Sequence, residues 1–387
     1  MFIGIAHAMW LQLETRFALS NGSHKVTEGW ITDTVSSDHT ISSDHMSPDA
    51  NDLNDVHVDV KTRKVLGLGC DAVGKASISA LVKCTSAIRQ LAYAAVPDSL
   101  DEYLQIGEKT SRDCLMHFCN GVIQLYGEEY LRRPTQTDVE KLYAFHENKH
   151  GFPGMIGSID CTKWPWAQCP QAYRAQFSRG DSGSEPFILL EAVASQDLWV
   201  WHVFFGVAGS NNDINVLRQS LVLNYLKVGK APEVPFVAYD VTYKWGYYLT
   251  DGIYLEWAVL MKSISQSGSN DVKRIRYKQA HEAARKDVKR AFGVLKKKWA
   301  IIRTPARSRS LKRITHLMYT CIILHNMIRK EKGKVSDFYP EEQHREDDPV
   351  RSAQDRLRVI REIHDEETHL NLKADLVEHI WHRANAN

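Results

Sequence analysis

A change of hydrophobic period near Gly154 constrains this chain more than any other feature. From there to about Tyr248, the runs Met155 to Cys161, Phe187 to Ser195, Leu198 to Val207 and Pro235 to Val241 are apolar or alternating. They are rich in Ile, Val, Phe and Trp and are separated by Gly, Ser, Asn and Asp, which predicts strands of one sheet. After Asp251 the period becomes helical. Ala284, Val288, Phe292, Leu295 and Trp299 form one stripe between His281 and Ile302, and a second helix is predicted over Ile314 to Ile328. Strands followed by amphipathic helices predict an α/β core with helices packed on a sheet.

Upstream, from about Ile78 to Gly127, the pattern is helical throughout. Leu81, Cys84, Ile88 and Leu91 recur at helical spacing, and Pro97 stops that helix. Ser99 to Glu102 reads as a capping box opening a short helix, Gly107 as a turn, and Thr110 to Asp113 as the start of a longer helix carrying Leu115, Phe118, Val122 and Leu125. Short helix, turn and longer helix give a helix-turn-helix-like region. Two readings stand here, DNA recognition and plain packing, because Lys109 and Arg112 are offset by Glu108 and Asp113.

Residues 1 to about 64 are rich in Ser, Asp, Thr and His, repeat Ser-Ser-Asp-His at 36–39 and 42–45, and show no sustained period, so they are expected to be disordered. No run approaches the eighteen or so apolar residues a membrane span needs, and no secretory leader is recognisable, so Asn21-Gly22-Ser23 carries no glycosylation reading. The seven cysteines are scattered without a Cys-x-x-Cys pair, which argues against a disulfide framework or a zinc knuckle. Beyond Lys330 an acidic, partly helical tail is expected at the surface or on a partner.

The net charge of +2 conceals a strong asymmetry. Between Lys273 and Arg313 there are 16 Lys or Arg against Glu282 and Asp287, so that block carries about +14 and the remainder about −12. Such a block is the footprint of a polyanion-binding surface, with nucleic acid the commonest partner; a solvated helix face is the plainer reading. The residues expected to contact DNA are Lys273, Arg274, Arg276, Lys278, Arg285, Arg290, Lys296, Lys297, Arg303 and Arg307.

Three aspartates stand where metal-dependent phosphodiester chemistry could use them. Asp160 closes Ile156 to Ile159, Asp213 follows a strand in Gly209 to Asn212, and Asp251 follows Tyr247 to Leu249. A pair of Mg²⁺ ions about 3.5–4 Å apart needs two or three converging carboxylates, because hard cations take oxygen ligands. An aspartate after a strand is also an ordinary turn or helix-cap residue.

The words around these aspartates add a resemblance. GFPGMIGSIDCTKWPWAQCP (151–170), LLEAVASQDLWVWHVFFGVAGSNNDINVL (189–217), YYLTDGIYLEW (247–257) and ARKDVKRAFGVLKKKWAIIRTPAR (284–307) resemble, in order, the blocks of the plant PIF/Harbinger transposase-derived nuclease family. The resemblance runs from about Ala76 to Ile328. It implies an RNase H-like DDE core, a mixed sheet flanked by helices and preceded by the helix-turn-helix-like region. The implied divisions are 1–75 as an unrelated segment, 76–150 helical, 151–330 the nuclease domain and 331–387 the tail. Further implications are Asp160 and Asp251 as the first two catalytic carboxylates, Asp213 as a further acid near the metals, Mg²⁺ or Mn²⁺ as cofactor, and DNA as partner. Nuclear residence and a separate Myb/SANT-like DNA-binding partner follow from the same likeness.

The chain departs from that family at one position. The closing block resembles DVERAFGVL, whose glutamate completes the triad, but here Lys289 occupies it. At about 100° per residue Lys289 borders the apolar stripe; Asp287 lies about 200° away, and Glu282 lies two turns earlier, roughly 10 Å along the axis. Asp287 cannot stand in for the glutamate, and Glu282 could do so only if the helix slid. An ammonium beside two aspartates pairs with them and competes with metal, so a DNA-binding protein with impaired catalysis is expected; the alternatives are a chromatin-associated interaction module without catalysis and an active Mg²⁺-dependent endonuclease.

Three further features carry no chemistry on this reading. Arg179-Gly180-Asp181 is expected to be a polar hairpin loop, and His325 a packed core histidine. Of Trp164, Trp166, Trp199, Trp201, Trp245 and Trp257, one or two could stack on unpaired bases while the rest fill the core.

Overall fold

The computed structural model describes residues 78–228, 231–264, 271–331 and 352–386. Its first elements are α1 (Ala80–Tyr93), α2 (Asp101–Leu104), α3 (Glu108–Tyr130), α4 (Gln136–His150), β1 (Met155–Pro165), α5 (Gln171–Phe177), β2 (Phe187–Ala194) and β3 (Val200–Ala208). There follow α6 (Asp213–Gln219), α7 (Asn224–Val228), β4 (Phe236–Ala238), β5 (Val241–Tyr243), β6 (Tyr247–Thr250) and β7 (Leu260–Lys262). The chain ends with α8 (Val272–Lys298), α9 (Ala300–Arg303), α10 (Leu311–Glu331), α11 (Ala353–Ile363) and α12 (Glu366–Ala386). The SSDH repeats, the Asn21 sequon, Cys70 and the segment expected to be disordered lie outside the described residues. Among the described helices none is long and apolar enough to cross a membrane.

The described chain divides into two compact units, one holding the described residues up to Leu131 with Trp164–Ile188 and Val294–His325, the other holding Arg132–Lys163, Leu189–Gly293 and the described residues after His325.

In the first unit α1 packs on α3. Ser79 caps α1 by accepting the Val82 N–H at 3.4 Å, and Ala80, Cys84, Ala87, Ile88 and Leu91 form its buried stripe. Facing it, Cys114, Phe118, Cys119 and Val122 line α3. One polar knot sits in this interface: the Ser86 and Ser111 hydroxyls meet at 2.7 Å, and the Gln90 amide donates to the Ser111 carbonyl at 3.0 Å. Burying these groups is tolerable because they satisfy one another. Before α3 the local chemistry differs from the expectation. Residues 97–100 form a 3₁₀ turn in which Ser99 donates its hydroxyl back to the Val96 carbonyl at 2.7 Å, so it caps nothing. The left-handed residue is Gln105 (φ 51°), while Gly107 is the N-cap of α3.

Arg179 and Asp181 flank Gly180 in a 3₁₀ turn, not a hairpin, and pair with each other at 2.7 Å. Trp164 and Trp166 donate their indole N–H groups to the carbonyls of Thr304 and Ser308, both at 2.7 Å. These two tryptophans, with Trp199, Trp201 and Trp245, are buried, and Trp257 stacks on His364 at 4.0 Å. Five of these six indoles therefore fill core and only Trp257 keeps partial exposure; His325 is fully buried.

The second unit is built on a five-stranded sheet of order β3-β2-β1-β6-β7. β1–β6 and β6–β7 are parallel, whereas β2 and β3 are joined by only the few residues of a hairpin, which a parallel pair cannot be, so the sheet is mixed. β2 is buried at every position, as a central strand covered on both faces must be. Pro235 to Val241 was expected to join this sheet. It forms instead a separate antiparallel ribbon, β4–β5, closed by Tyr239 and Asp240 at positive φ (46° and 66°), the turn geometry that two-residue hairpins require. Phe236 on that ribbon leaves no room for a side chain at Gly154, whose φ of 75° also favours glycine.

The C-terminal helices are likewise core, which corrects their placement on the surface. Val359, Ile363, Leu372, Leu376 and Ile380 are buried, Tyr243 donates its hydroxyl to Asp375 at 2.6 Å, and Trp245 donates to Glu362 at 3.0 Å.

Candidate functional site

Strand register brings Asp160 and Asp251 together. In the parallel β1–β6 pair Ser158 is opposite Leu249, so Asp160 follows two residues on in β1 and Asp251 follows at the first position past the end of β6. Ser158 also tells which face that is: its hydroxyl donates to the Ala284 carbonyl of α8 at 3.3 Å. Two strand residues advance about 6.6 Å and five helix residues about 7.5 Å. Asp160 is therefore met on α8 by Lys289, whose Nζ lies 3.9 Å from Asp160 Oδ2. Arg285, one turn earlier on the same face, reaches Asp251 Oδ2 at 3.0 Å.

The two carboxylates sit in unlike surroundings. Asp160 is nearly buried, and burial pushes its carboxyl above the ordinary range although Arg285, Lys289 and the Cys161 N–H (3.0 Å) all oppose that shift. Asp251 is more open. Its residual burial is outweighed by the Gly252 N–H at 2.6 Å and by Arg285 and Lys289, so its carboxyl is held below the ordinary range. Asp213 is the first residue of α6, behind the cap Asn212, whose side chain accepts the Asn215 N–H at 2.8 Å. Its negative charge bears on Asp160, Cys161, Glu191 and Tyr254.

Glu191 is a fourth acid in this neighbourhood and was missed. It lies on β2 with no solvent exposure, its Oε1 3.7 Å from His202 Nε2. Burial, reinforced by Asp213 and opposed by the Ser220 hydroxyl, pushes its carboxyl up to about 8, while burial pushes His202 down to about 3. Burial thus disfavours the charged form of both side chains. A lone acid inside the apolar run 187–194 was the signal that could have marked it.

Several sequence-predicted positions differ in detail. Asp160 lies inside β1, not at its end, because the strand continues through Cys161 to Pro165. The helix predicted over His281 to Ile302 breaks at Trp299, which caps α9. Of the cations expected to meet DNA, Arg285 is turned inward with its side chain 11% exposed. Lys273 pairs with Glu378 at 2.7 Å and Arg290 with Asp287 at 2.9 Å. Lys278 sits 3.9 Å from Glu282, and Lys296 is half-buried. Arg274, Arg276, Lys297, Arg303 and Arg307 are exposed.

The donor set can be tested against the Mg²⁺ or Mn²⁺ pair that Asp160, Asp213 and Asp251 would hold. Three carboxylates suit hard cations. The Lys289 ammonium 3.9 Å from Asp160 does not. The residues present do not fit a two-metal centre.

Fold and site together define a mixed α/β protein with one aspartate on β1, a second just past the neighbouring parallel strand β6, and two cations of α8, each set against one of them. A family model described as Plant transposon protein matches residues 128–336, more than half of the 387 residues, and the chain belongs to that plant transposase-derived family. No curated protein and no solved structure matches.

Proposed function

We propose that this chain is a nuclear, DNA-binding descendant of a transposase whose RNase H-like DDE centre has lost strand-cleaving power. The single observation that carries the loss is Lys289 set against Asp160. The RNase H-like reading is supported by the strand order and the parallel β1–β6–β7 pairing. Divalent metal binds weakly on this account, since each cation entering beside Asp160 meets the Lys289 charge.

DNA binding is supported by the basic block, in which Arg274, Arg276, Lys297, Arg303 and Arg307 are exposed. Affinity rests on phosphate contacts and carries little sequence preference of its own, so a Myb/SANT-like partner supplies the choice of site. Titration of a labelled duplex at rising salt tests this. If about six phosphates are contacted, affinity falls on the order of 10³-fold between about 50 and 200 mM salt. A salt-independent signal would instead favour the interaction-module reading, with protein as the bound partner.

A further inference from the structure

The C-terminal turn of α4 reads His146-Glu147-Asn148-Lys149-His150, and its two histidines, four residues apart, lie on one face of the helix. Asp287 of α8 faces them. One ligand atom from each of the three lies within 4.8 Å of the others. His146 is fully buried with neither ring nitrogen hydrogen-bonded, His150 Nε2 is buried without a partner, and so is Asp287 Oδ2. Arg290 holds the other carboxylate oxygen at 2.9 Å, which fixes Oδ2 toward the histidines.

We propose that His146, His150 and Asp287 bind one zinc-class divalent ion that pins the end of α4 to α8. Two imidazoles and a carboxylate suit Zn²⁺ or Co²⁺ and not Mg²⁺ or Ca²⁺. A tetrahedral set at about 2.0–2.1 Å leaves the fourth position to water and places ligand atoms about 3.3 Å apart, so the three must draw together by up to about 1.5 Å, within reach of side-chain rotation. The negative end of α4 favours a cation here; Lys149 and Arg290 are the cations that face the cluster and oppose it. Spacing alone matches the helical His-Glu-x-x-His of zinc peptidases, but Glu147 bears on Tyr247 and His379, and the burial of His146 denies a substrate access. The site is therefore structural. The ion sets the axial position of α8, and with it where Lys289, two residues past Asp287, meets Asp160.

The test uses the untagged full chain, stripped with chelator, reloaded with Zn²⁺ and desalted, with bound metal measured by atomic emission. One equivalent is expected, with loss of at least about tenfold in affinity for His150→Gln and for Asp287→Asn, the scale on which metal sites respond to altered partners, and retention in Asp160→Asn. Co²⁺ loading of the parent guards against a variant that fails to fold. Visible d–d bands without thiolate charge-transfer absorption support the site, and their absence, or thiolate bands, overturns it. Retention of no metal by the parent, or undiminished binding in folded His150→Gln and Asp287→Asn, also overturns it.

Discussion

Lys289 Nζ stands 3.9 Å from Asp160 Oδ2, across the gap between α8 and the strand that carries the aspartate. The side chain of Lys289 is 56% exposed and that of Asp160 is 12% exposed, so the pair is an open cation leaning on a nearly buried acid.

That asymmetry sets a pH dependence. Asp160 has a raised folded pKa, so its contribution to stability is fully present below its unfolded value near 3.9 and is lost as pH rises through the folded value. Lys289 limits the loss. Lys289→Met should therefore match the parent near pH 3 and fall below it near pH 7 by under about 1 kcal/mol, given the exposure of the lysine. Urea midpoints at the two pH values check this; equal offsets at both would show that the ammonium does not act on Asp160.

Glu191 offers a larger effect of the same sign. Its folded pKa of about 8 lies far above an unfolded value near 4.3, so its stabilising protonated form is lost progressively as pH rises between these values. Glu191→Gln keeps the shape and removes the ionisation. It should gain on the parent by a few kcal/mol as pH climbs from about 4 to about 8 and stay level above that, as read from denaturant unfolding across the range.

The C-terminal helices separate packing from surface charge. Leu376 is fully buried, whereas the Lys273–Glu378 pair is about one-third exposed on each side. Leu376→Ala should cost about 2–5 kcal/mol and Lys273→Ala under about 1 kcal/mol. Thermal or urea unfolding of both would reveal a surface-bound tail if Leu376→Ala proved neutral.

How much could be read beforehand depended on the length of the signal. The runs of β1, β2 and β3 and the stripe of α8 were legible because they are long and periodic. β6 and β7, with four and three residues, are too short to carry a period, and the Tyr239-Asp240 turn lacks the glycine that usually marks a hairpin. Asp160, Asp251 and Lys289 came from block resemblance, while their neighbourhood came from register. Arg285 was counted with the basic block because charge composition does not say which way a helix face points. Its place four residues before Lys289 was the available signal. His146 and His150 lie more than a hundred residues of chain from Asp287, so only the packing of α4 against α8 could join them.

Supercoiled-plasmid nicking with Mn²⁺ tests the central claim most directly, comparing the parent, Asp160→Ala, Lys289→Glu, and Lys289→Glu combined with Asp160→Ala. The account expects a silent parent, a gain of nicking in Lys289→Glu, and its loss when Asp160 is removed. Nicking by the parent that disappears with Asp160→Ala alone would contradict it, because Lys289 would then stand in a working centre.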